Sequence, residues 1–185
     1  GMKSSIVIKE ISSEAIESVP IQQEIEFGHG EIHIEKSGNL PIYASFYQKS
    51  WNINPLRIEK DFKIISHFKK DFEQIDFLKA GELALLEVQI ESSNESDYVI
   101  IEVPIPAGCS YNKTNDTKNP NEVHREYYKH KVVIFCEKLP IGKHRFEINL
   151  QPRYSGTYTL NPAKAELMYF PTIFGREEMK EVEIR

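Results

Sequence analysis

The sequence predicts an all-β protein, an antiparallel β-sandwich with a smaller N-terminal β segment. Apolar residues recur at every second position in several runs, and many are β-branched or aromatic, as strands prefer. Because successive side chains on a strand point to opposite faces, each run has one buried and one solvent-facing side. The clearest stripes are Ile58 with Phe62 and Ile64, Leu86 with Val88 and Ile90, Val99 with Ile101 and Val103, Phe146 with Ile148 and Leu150, and Val182 with Ile184.

Turn residues separate these runs and favour antiparallel pairing. Pro104 to Gly108 end one run, and Pro140 to Gly142 predict a tight hairpin between two strands. Gly156 lies in a further bend or bulge. The segments between the runs are too short for the crossover helices that a parallel sheet needs.

One short helix is predicted from Asn119 to about Lys129. Asn119 supplies an N-cap, Pro120 a first-turn proline, and Glu122 the acid of a capping box. Residues 112–121 are mostly polar, which is typical of an exposed loop.

The N-terminal part contains four short predicted strands, at residues 6–11, 23–27, 31–35 and 41–47. Four short strands make a thin core, so we expect this part to belong to a larger domain or to pack on the rest of the chain. Residues 51–55 carry few regular signals and are interpreted as a connector.

The composition excludes several classes of protein. The chain has 185 residues, with 23 Lys and Arg against 28 Asp and Glu, and a formal net charge of -5. A strongly basic nucleic-acid binder is excluded, because it would need an excess of cations to replace counterions. No apolar run approaches the ~18–20 residues that a membrane-spanning helix needs. Gly1 before Met2 is typical of a scar left by tag cleavage.

The two cysteines are too few for a disulfide framework and too far apart for a CxxC motif. Cys109 and Cys136 can pair if their strands are neighbours; two separate thiols, one buried and one in a loop, is the favoured interpretation. A nucleophilic Cys109 acting with His124 and His130 is a further hypothesis. No third positioning group is evident, so we interpret Cys109 as closing the end of a strand.

The sharpest metal candidate is the set His29, Glu31, His33 and Glu35, whose side chains share one face if this segment is a strand. The intervening isoleucines already form the core face, and alternation alone then predicts polar residues opposite them. We therefore predict no metal and no cofactor. The aromatic and basic run 127–131 could bind single strands or sugars, but the acidic balance favours tyrosines packed inward.

One methionine does not fit an ordinary core stripe. On a regular strand, Ala163, Ala165, Leu167 and Tyr169 share one face, and Lys164, Glu166 and Met168 the other. Met168 then points outward among charges. A soft, unbranched side chain in that position suits contact with a partner.

Several motifs follow one another in a characteristic order: Leu78-Lys79-Ala80-Gly81-Glu82, Pro104-x-Pro106-Ala107-Gly108, Leu139-Pro140 with Gly142, Pro162-Ala163, and Met168-Tyr169-x-Pro171-x-x-x-Gly175-Arg176. In order and spacing, from about Ile32 to Arg185, the chain resembles the C-terminal end of bacterial alpha-2-macroglobulin family proteins. The resemblance implies that residues 55–185 are the last macroglobulin-like domain, of immunoglobulin or fibronectin III shape. Residues 1–54 then resemble the end of a CUB-like domain.

Such proteins trap proteases. A protease cuts a bait region, the body rearranges, and a buried thioester becomes exposed and acylates the attacker. The resemblance places the bait region and the thioester outside this chain, which has no Cys-x-x-Gln. It also implies a parent protein of the cell envelope, either periplasmic or a membrane-anchored lipoprotein.

The resemblance further implies a role for Met168 and Tyr169, because a Met-Tyr pair at this position in bacterial members covers the thioester and excludes water. Regular alternation would bury Tyr169, so both residues reach a partner only if the strand ends or bulges there. Pro171 makes such a break reasonable. The alternative is that Tyr169 is core and Met168 ordinary surface. We predict that Met168 is appreciably exposed in this chain.

The favoured function is a non-catalytic module that shields the thioester domain and releases it on bait cleavage. Its partners would be the thioester domain and the neighbouring macroglobulin domains, with target proteases engaged indirectly and no nucleic-acid or membrane contact. The alternative is a surface binding or adhesion module for glycan or protein. A metal- or cysteine-dependent enzyme ranks last.

Overall fold

A computed structural model describes residues 52–112 and 118–185, together with the pairing of two short strands before them. The chain divides into two compact units, Gly1–Ser50 and Trp51–Arg185. In the first unit β1 (Ser4–Ser5) pairs in parallel with β2 (Ile32–His33). The remaining N-terminal residues, including most of the strands predicted there, lie outside the described part of the chain.

The second unit is built from strands throughout, and its described residues contain no helix. The strands are β3 Phe62–Lys70, β4 Glu73–Ile75, β5 Phe77–Leu78, β6 Ala84–Ser92, β7 Ser96–Pro104, β8 Cys109–Tyr111, β9 Glu122–Tyr127, β10 Lys131–Leu139, β11 Gly142–Pro152, β12 Gly156–Leu160, β13 Lys164–Leu167, β14 Phe174–Arg176 and β15 Lys180–Ile184.

Two five-stranded sheets form the layers of the sandwich. Sheet I has the order β14-β13-β7-β10-β9, and sheet II has the order β4-β3-β6-β11-β8. All neighbours within both sheets are antiparallel. A smaller sheet III has the order β12-β15-β5, in which β15 runs antiparallel to β12 and parallel to β5. The predicted all-β sandwich is therefore confirmed.

The apolar stripes of sheets I and II face each other and form one core. Sheet II contributes Phe62 and Ile64 from β3, the stripe of β6 and the stripe of β11; sheet I contributes the stripe of β7, Val132, Ile134 and Cys136 from β10, and Ala165 from β13. A second cluster, Leu78, Ala84, Leu160, Val182 and Ile184, lies under sheet III. Ile58 departs from its predicted stripe, because it precedes β3 and forms an isolated bridge with Arg176 of β14.

The helix predicted from Asn119 to about Lys129 is wrong, because the segment forms β9. The register of β9 against β10 shifts between Phe135 and Cys136, which leaves an extra residue in β9. This bulge turns both Glu122 and Arg125 inward although they are three positions apart, a spacing that imitates a helix.

A buried ion pair accounts for this arrangement of β9. The Arg125 guanidinium donates two hydrogen bonds of 2.7 Å to the Glu122 carboxylate, and a third of 2.8 Å to the carbonyl of Glu147 in β11. The bond to Glu147 links β9, the edge strand of sheet I, to β11 of sheet II. Asn119 caps a turn rather than a helix, since its side chain accepts from the backbone N–H of Asn121 at 2.9 Å.

The hairpin predicted at Pro140 to Gly142 is also wrong. The turn is tight, but β10 before it belongs to sheet I and β11 after it to sheet II. β10 pairs with β7, while β11 pairs with β6, so the turn carries the chain between layers. Gly142 permits this with a φ of 121°, and His144 Nε2 lies 2.8 Å from the Pro140 carbonyl.

In the part of the chain that the structure describes, no helix is long and apolar enough to span a lipid bilayer.

Candidate docking surface

Strand β13 ends at Leu167, immediately before Met168 and Tyr169. Ala165 in β13 is buried, and Leu167, the last residue of β13, pairs with Val99 of β7. Beyond it Met168 is 42% exposed and Tyr169 69% exposed. The exposure predicted for Met168 is confirmed. The alternative that Tyr169 is core is wrong, because the strand ends before regular alternation can bury it.

The connection between β13 and β14 is a compact turn that displays a further aromatic residue. The Leu167 N–H donates to the Ile173 carbonyl at 3.1 Å, and the Ile173 N–H donates to the Phe170 carbonyl at 2.9 Å. The Phe170 N–H in turn donates to the Leu167 carbonyl at 3.2 Å. In this turn Phe170 is 64% exposed.

Tyr98 of β7 lies directly beside this turn. Its carbonyl accepts the N–H of Met168 at 2.8 Å, and its ring contacts the Tyr169 ring edge to face, with centroids 5.4 Å apart. Tyr98 has a φ of 55°, in the left-handed region, which costs about 1–2 kcal/mol for a residue with a Cβ. We call the exposed surface formed by Tyr98, Met168, Tyr169 and Phe170 the aromatic rim.

Ile100 of β7, Phe135 of β10 and Glu166 of β13 lie side by side on the outward face of sheet I, next to the aromatic rim. Lys131 of β10 lies 2.6 Å from the Glu102 carboxylate of β7, and Lys164 forms an ion pair with Glu166 along β13. The aromatic rim is therefore continuous with an outward face that carries apolar side chains as well as these two ion pairs. A patch of this kind suits contact with another protein surface.

The residues of the catalytic hypothesis are not brought together. Cys109 lies in β8 of sheet II, whereas His124 lies in β9 of sheet I, where it is exposed and stacks near Phe135. Burial raises the pKa of the Cys109 thiol to about 12, so the nucleophilic thiolate is suppressed at neutral pH. His130 is exposed in the turn between β9 and β10.

The cysteines are unpaired. Cys136 is buried in the core and Cys109 is half-buried at the start of β8, so neither thiol lies in the loop that the favoured interpretation gave to one of them. Among residues 52–112 and 118–185, no group of three or more His, Cys, Asp or Glu is placed to hold a metal ion. The candidate ligands His29, Glu31 and Glu35, and the side chain of His33, lie outside the described residues.

The aromatic and basic run 127–131 is the end of β9 and the turn into β10. Tyr127 packs edge to face on Tyr111, with ring centroids 5.0 Å apart, as the inward-facing interpretation predicted. Tyr128 is exposed and its hydroxyl hydrogen-bonds Glu126, so the run does not present a continuous row of stacking rings.

Sequence reasoning missed two members of the aromatic rim. The one signal for Tyr98 was its place on the outward stripe of β7, opposite the buried Val99. Its left-handed backbone has no signature in the sequence. Phe170 was missed because its exposure depends on where β13 ends.

Comparison with known families identifies the second unit. Residues 56–172 match the family described as the bacterial alpha-2-macroglobulin MG10 domain. The chain belongs to the bacterial alpha-2-macroglobulin MG10 family. The resemblance inferred from the motifs is thereby confirmed. The alpha-2-macroglobulin family is a family of protease inhibitors, and the MG10 domain is a structural macroglobulin module, not an enzyme.

Solved structures with this fold include alpha-2-macroglobulins from two bacteria. Trypsin-activated alpha-2-macroglobulin from Escherichia coli has a TM-score of 0.64 at 18% identity, over 71% of this chain and 11% of that chain. Native E. coli alpha-2-macroglobulin from domain MG7 to the C-terminus has a TM-score of 0.60 at 18% identity, over 70% and 24%.

Salmonella alpha-2-macroglobulin reacted with methylamine has a TM-score of 0.60 at 16% identity, over 70% of this chain and 10% of that chain. At these identities the likeness shows the fold alone, and the chain spans a small part of each structure. No curated protein matches the sequence.

Proposed function

We propose that the chain is the C-terminal module of a bacterial alpha-2-macroglobulin-like protease inhibitor, and that Met168 and Tyr169 cover the thioester domain of the parent chain. The observation that carries the proposal is the joint exposure of these two residues at a strand end in a domain of the MG10 family. Residues 55–185 would be the macroglobulin-like domain and residues 1–54 the end of a CUB-like domain.

The chemistry of a thioester explains why an apolar cover is useful. A thioester hydrolyses when water reaches it, so a reactive one persists only where water is excluded. Met168 can adapt its unbranched side chain to an irregular partner, and Tyr169 adds a large, rigid ring. Both side chains are apolar over most of their surface, and Glu166, on the same strand as the approach to Met168, is already paired with Lys164.

Release follows from the size of such a contact. A contact of a few side chains between domains is moderate in area and can be broken when the body of the protein rearranges after bait cleavage. The module would then act mechanically, by favouring the closed state until cleavage. The parent protein would act in the cell envelope, in the periplasm or as an anchored lipoprotein, and would contact target proteases only indirectly.

An association experiment tests this proposal. The 185-residue chain would be titrated with the thioester domain of its parent, and the dissociation constant measured by calorimetry. Met168→Asp places a charge in the contact and should weaken association at least about tenfold, because an unpaired buried charge is costly. No association, or equal association by the variant, would contradict the proposal.

Phe72→Asp is the matched control for a lost exposed apolar side chain. Phe72 is 99% exposed in the turn between β3 and β4, next to the start of β6. The aromatic rim lies instead beyond the far end of β6, where the chain enters β7. Phe72→Asp should therefore leave the dissociation constant unchanged.

A further inference from the structure

Tyr98 interrupts an otherwise regular ladder between β7 and β10. Asp97 pairs with Lys138, and Val99 pairs with Cys136. Tyr98 lies between Asp97 and Val99 in β7 but forms no ladder pair with β10. At this position the backbone adopts a φ of 55°. An aromatic residue with a Cβ takes this conformation only when its surroundings hold it there.

In this conformation, the carbonyl and the ring of Tyr98 each contact another residue of the aromatic rim. Its carbonyl accepts the Met168 N–H at 2.8 Å, one residue beyond the last β13 pair. Its ring lies edge to face on the ring of Tyr169, at an interplanar angle of 79°. One residue in an unfavourable conformation thus contacts both residues of the proposed cover, one through the backbone and one through the side chain.

We propose that Tyr98 is a positioning residue, which presets Met168 and Tyr169 for docking on the thioester domain and adds its own ring to the covered patch. The identity of the docking partner rests on the function proposed above. Presetting matters because side chains that are already ordered lose less conformational entropy on binding. Tyr98 is itself 46% exposed beside Tyr169, so a partner that covers Tyr169 also reaches the Tyr98 ring.

Two substitutions separate the ring from the backbone. Tyr98→Asn removes the ring, yet asparagine tolerates the left-handed region better than most residues. Tyr98→Phe keeps both the ring and the conformation and serves as the matched control. We expect Tyr98→Asn to weaken association with the thioester domain about tenfold, while its urea unfolding midpoint stays close to that of the unmodified chain. Tyr98→Phe should change neither quantity.

A residue that merely stabilises the sandwich would behave differently. Tyr98→Asn would then lower the urea midpoint, and any weaker association would follow from unfolding. Unchanged association of Tyr98→Asn, in a chain whose association Met168→Asp abolishes, would overturn the proposal. If instead Met168→Asp associates normally, the proposed function fails. The positioning role is then tested by a measurement on the free chain, without the thioester domain.

The free-chain measurement is amide hydrogen exchange at Met168. Valine disfavours the left-handed region because it is β-branched, so Tyr98→Val should turn the carbonyl away from the Met168 N–H. We expect exchange at Met168 to accelerate at least about tenfold, with protection of core amides such as Ile101 retained. Unchanged exchange at Met168 would overturn the positioning role whatever the docking partner is.

Discussion

Gly175 of β14 is the position where an added methyl group should cost most. A Cβ built there would lie 1.9 Å from the Phe62 carbonyl oxygen, 2.7 Å from its carbonyl carbon and 2.9 Å from its Cβ. Phe62 starts β3 of sheet II and is buried, whereas β14 is the edge of sheet I. Gly175 therefore lets the backbones of the two sheets approach directly and close one side of the sandwich.

The cost of Gly175→Ala can be worked from these contacts. Overpacking costs about 1–3 kcal/mol, and the clash is with backbone, which cannot rotate away. Moving β14 aside would also break the two hydrogen bonds of 2.9 Å between Ile58 and Arg176, worth about 1 kcal/mol each. We expect a loss of about 3–5 kcal/mol in the free energy of unfolding.

Urea denaturation followed by circular dichroism measures this loss. The control is Gly81→Ala, where the added Cβ meets nothing within 4 Å but φ is 84°, so that only left-handed strain of about 1–2 kcal/mol applies. Gly175→Ala should thus cost clearly more than Gly81→Ala. Equal costs at the two positions, or a loss below about 1 kcal/mol at Gly175, would refute the proposed close approach of the sheets.

Three further predictions concern buried polar and titratable groups. Glu122→Gln removes the carboxylate charge that faces the buried Arg125 guanidinium, and urea denaturation should show a free energy of unfolding lower by about 3–5 kcal/mol; a neutral effect would count against the ion pair. Burial lowers the pKa of His67, so the folded state binds fewer protons than the unfolded chain and stability falls as the pH drops below about 6.5. Thermal unfolding of His67→Gln should show a smaller loss between about pH 7 and pH 5, and an equal loss would contradict this cause. Burial raises the pKa of both Cys109 and Cys136 to about 12, so both thiols should react slowly with a thiol reagent until the chain is denatured; a fast thiol in the folded chain would contradict their burial.

The sandwich was predictable because alternation reports burial directly. The stripes of β6, β7 and β11 are all buried in the core, as the period of two predicts. The helix prediction failed at β9 because a bulge places Glu122 and Arg125 on one side at a helical spacing. Bulges depend on the partner strand, and local sequence does not reveal them.

The connections between strands and the conformation of the aromatic rim show a second limit of prediction from the sequence. A tight turn at Gly142 was predictable, but whether its flanking strands pair depends on which neighbours offer the longer ladder, and β11 finds nine pairs with β6. The exposure of Met168 was predictable from its neighbours on the strand. The conformation of Tyr98 was not, because it arises from contacts with residues some seventy positions later in the chain.

The most direct test of the account is the reactivity of the thioester in the full-length parent protein. The rate at which a small amine releases the thiol would be compared between the parent and its variant at Met168→Asp. If the aromatic rim excludes water and amines from the thioester, the variant should react at least about tenfold faster. Identical rates, or the absence of any amine-reactive thioester, would contradict the proposed cover.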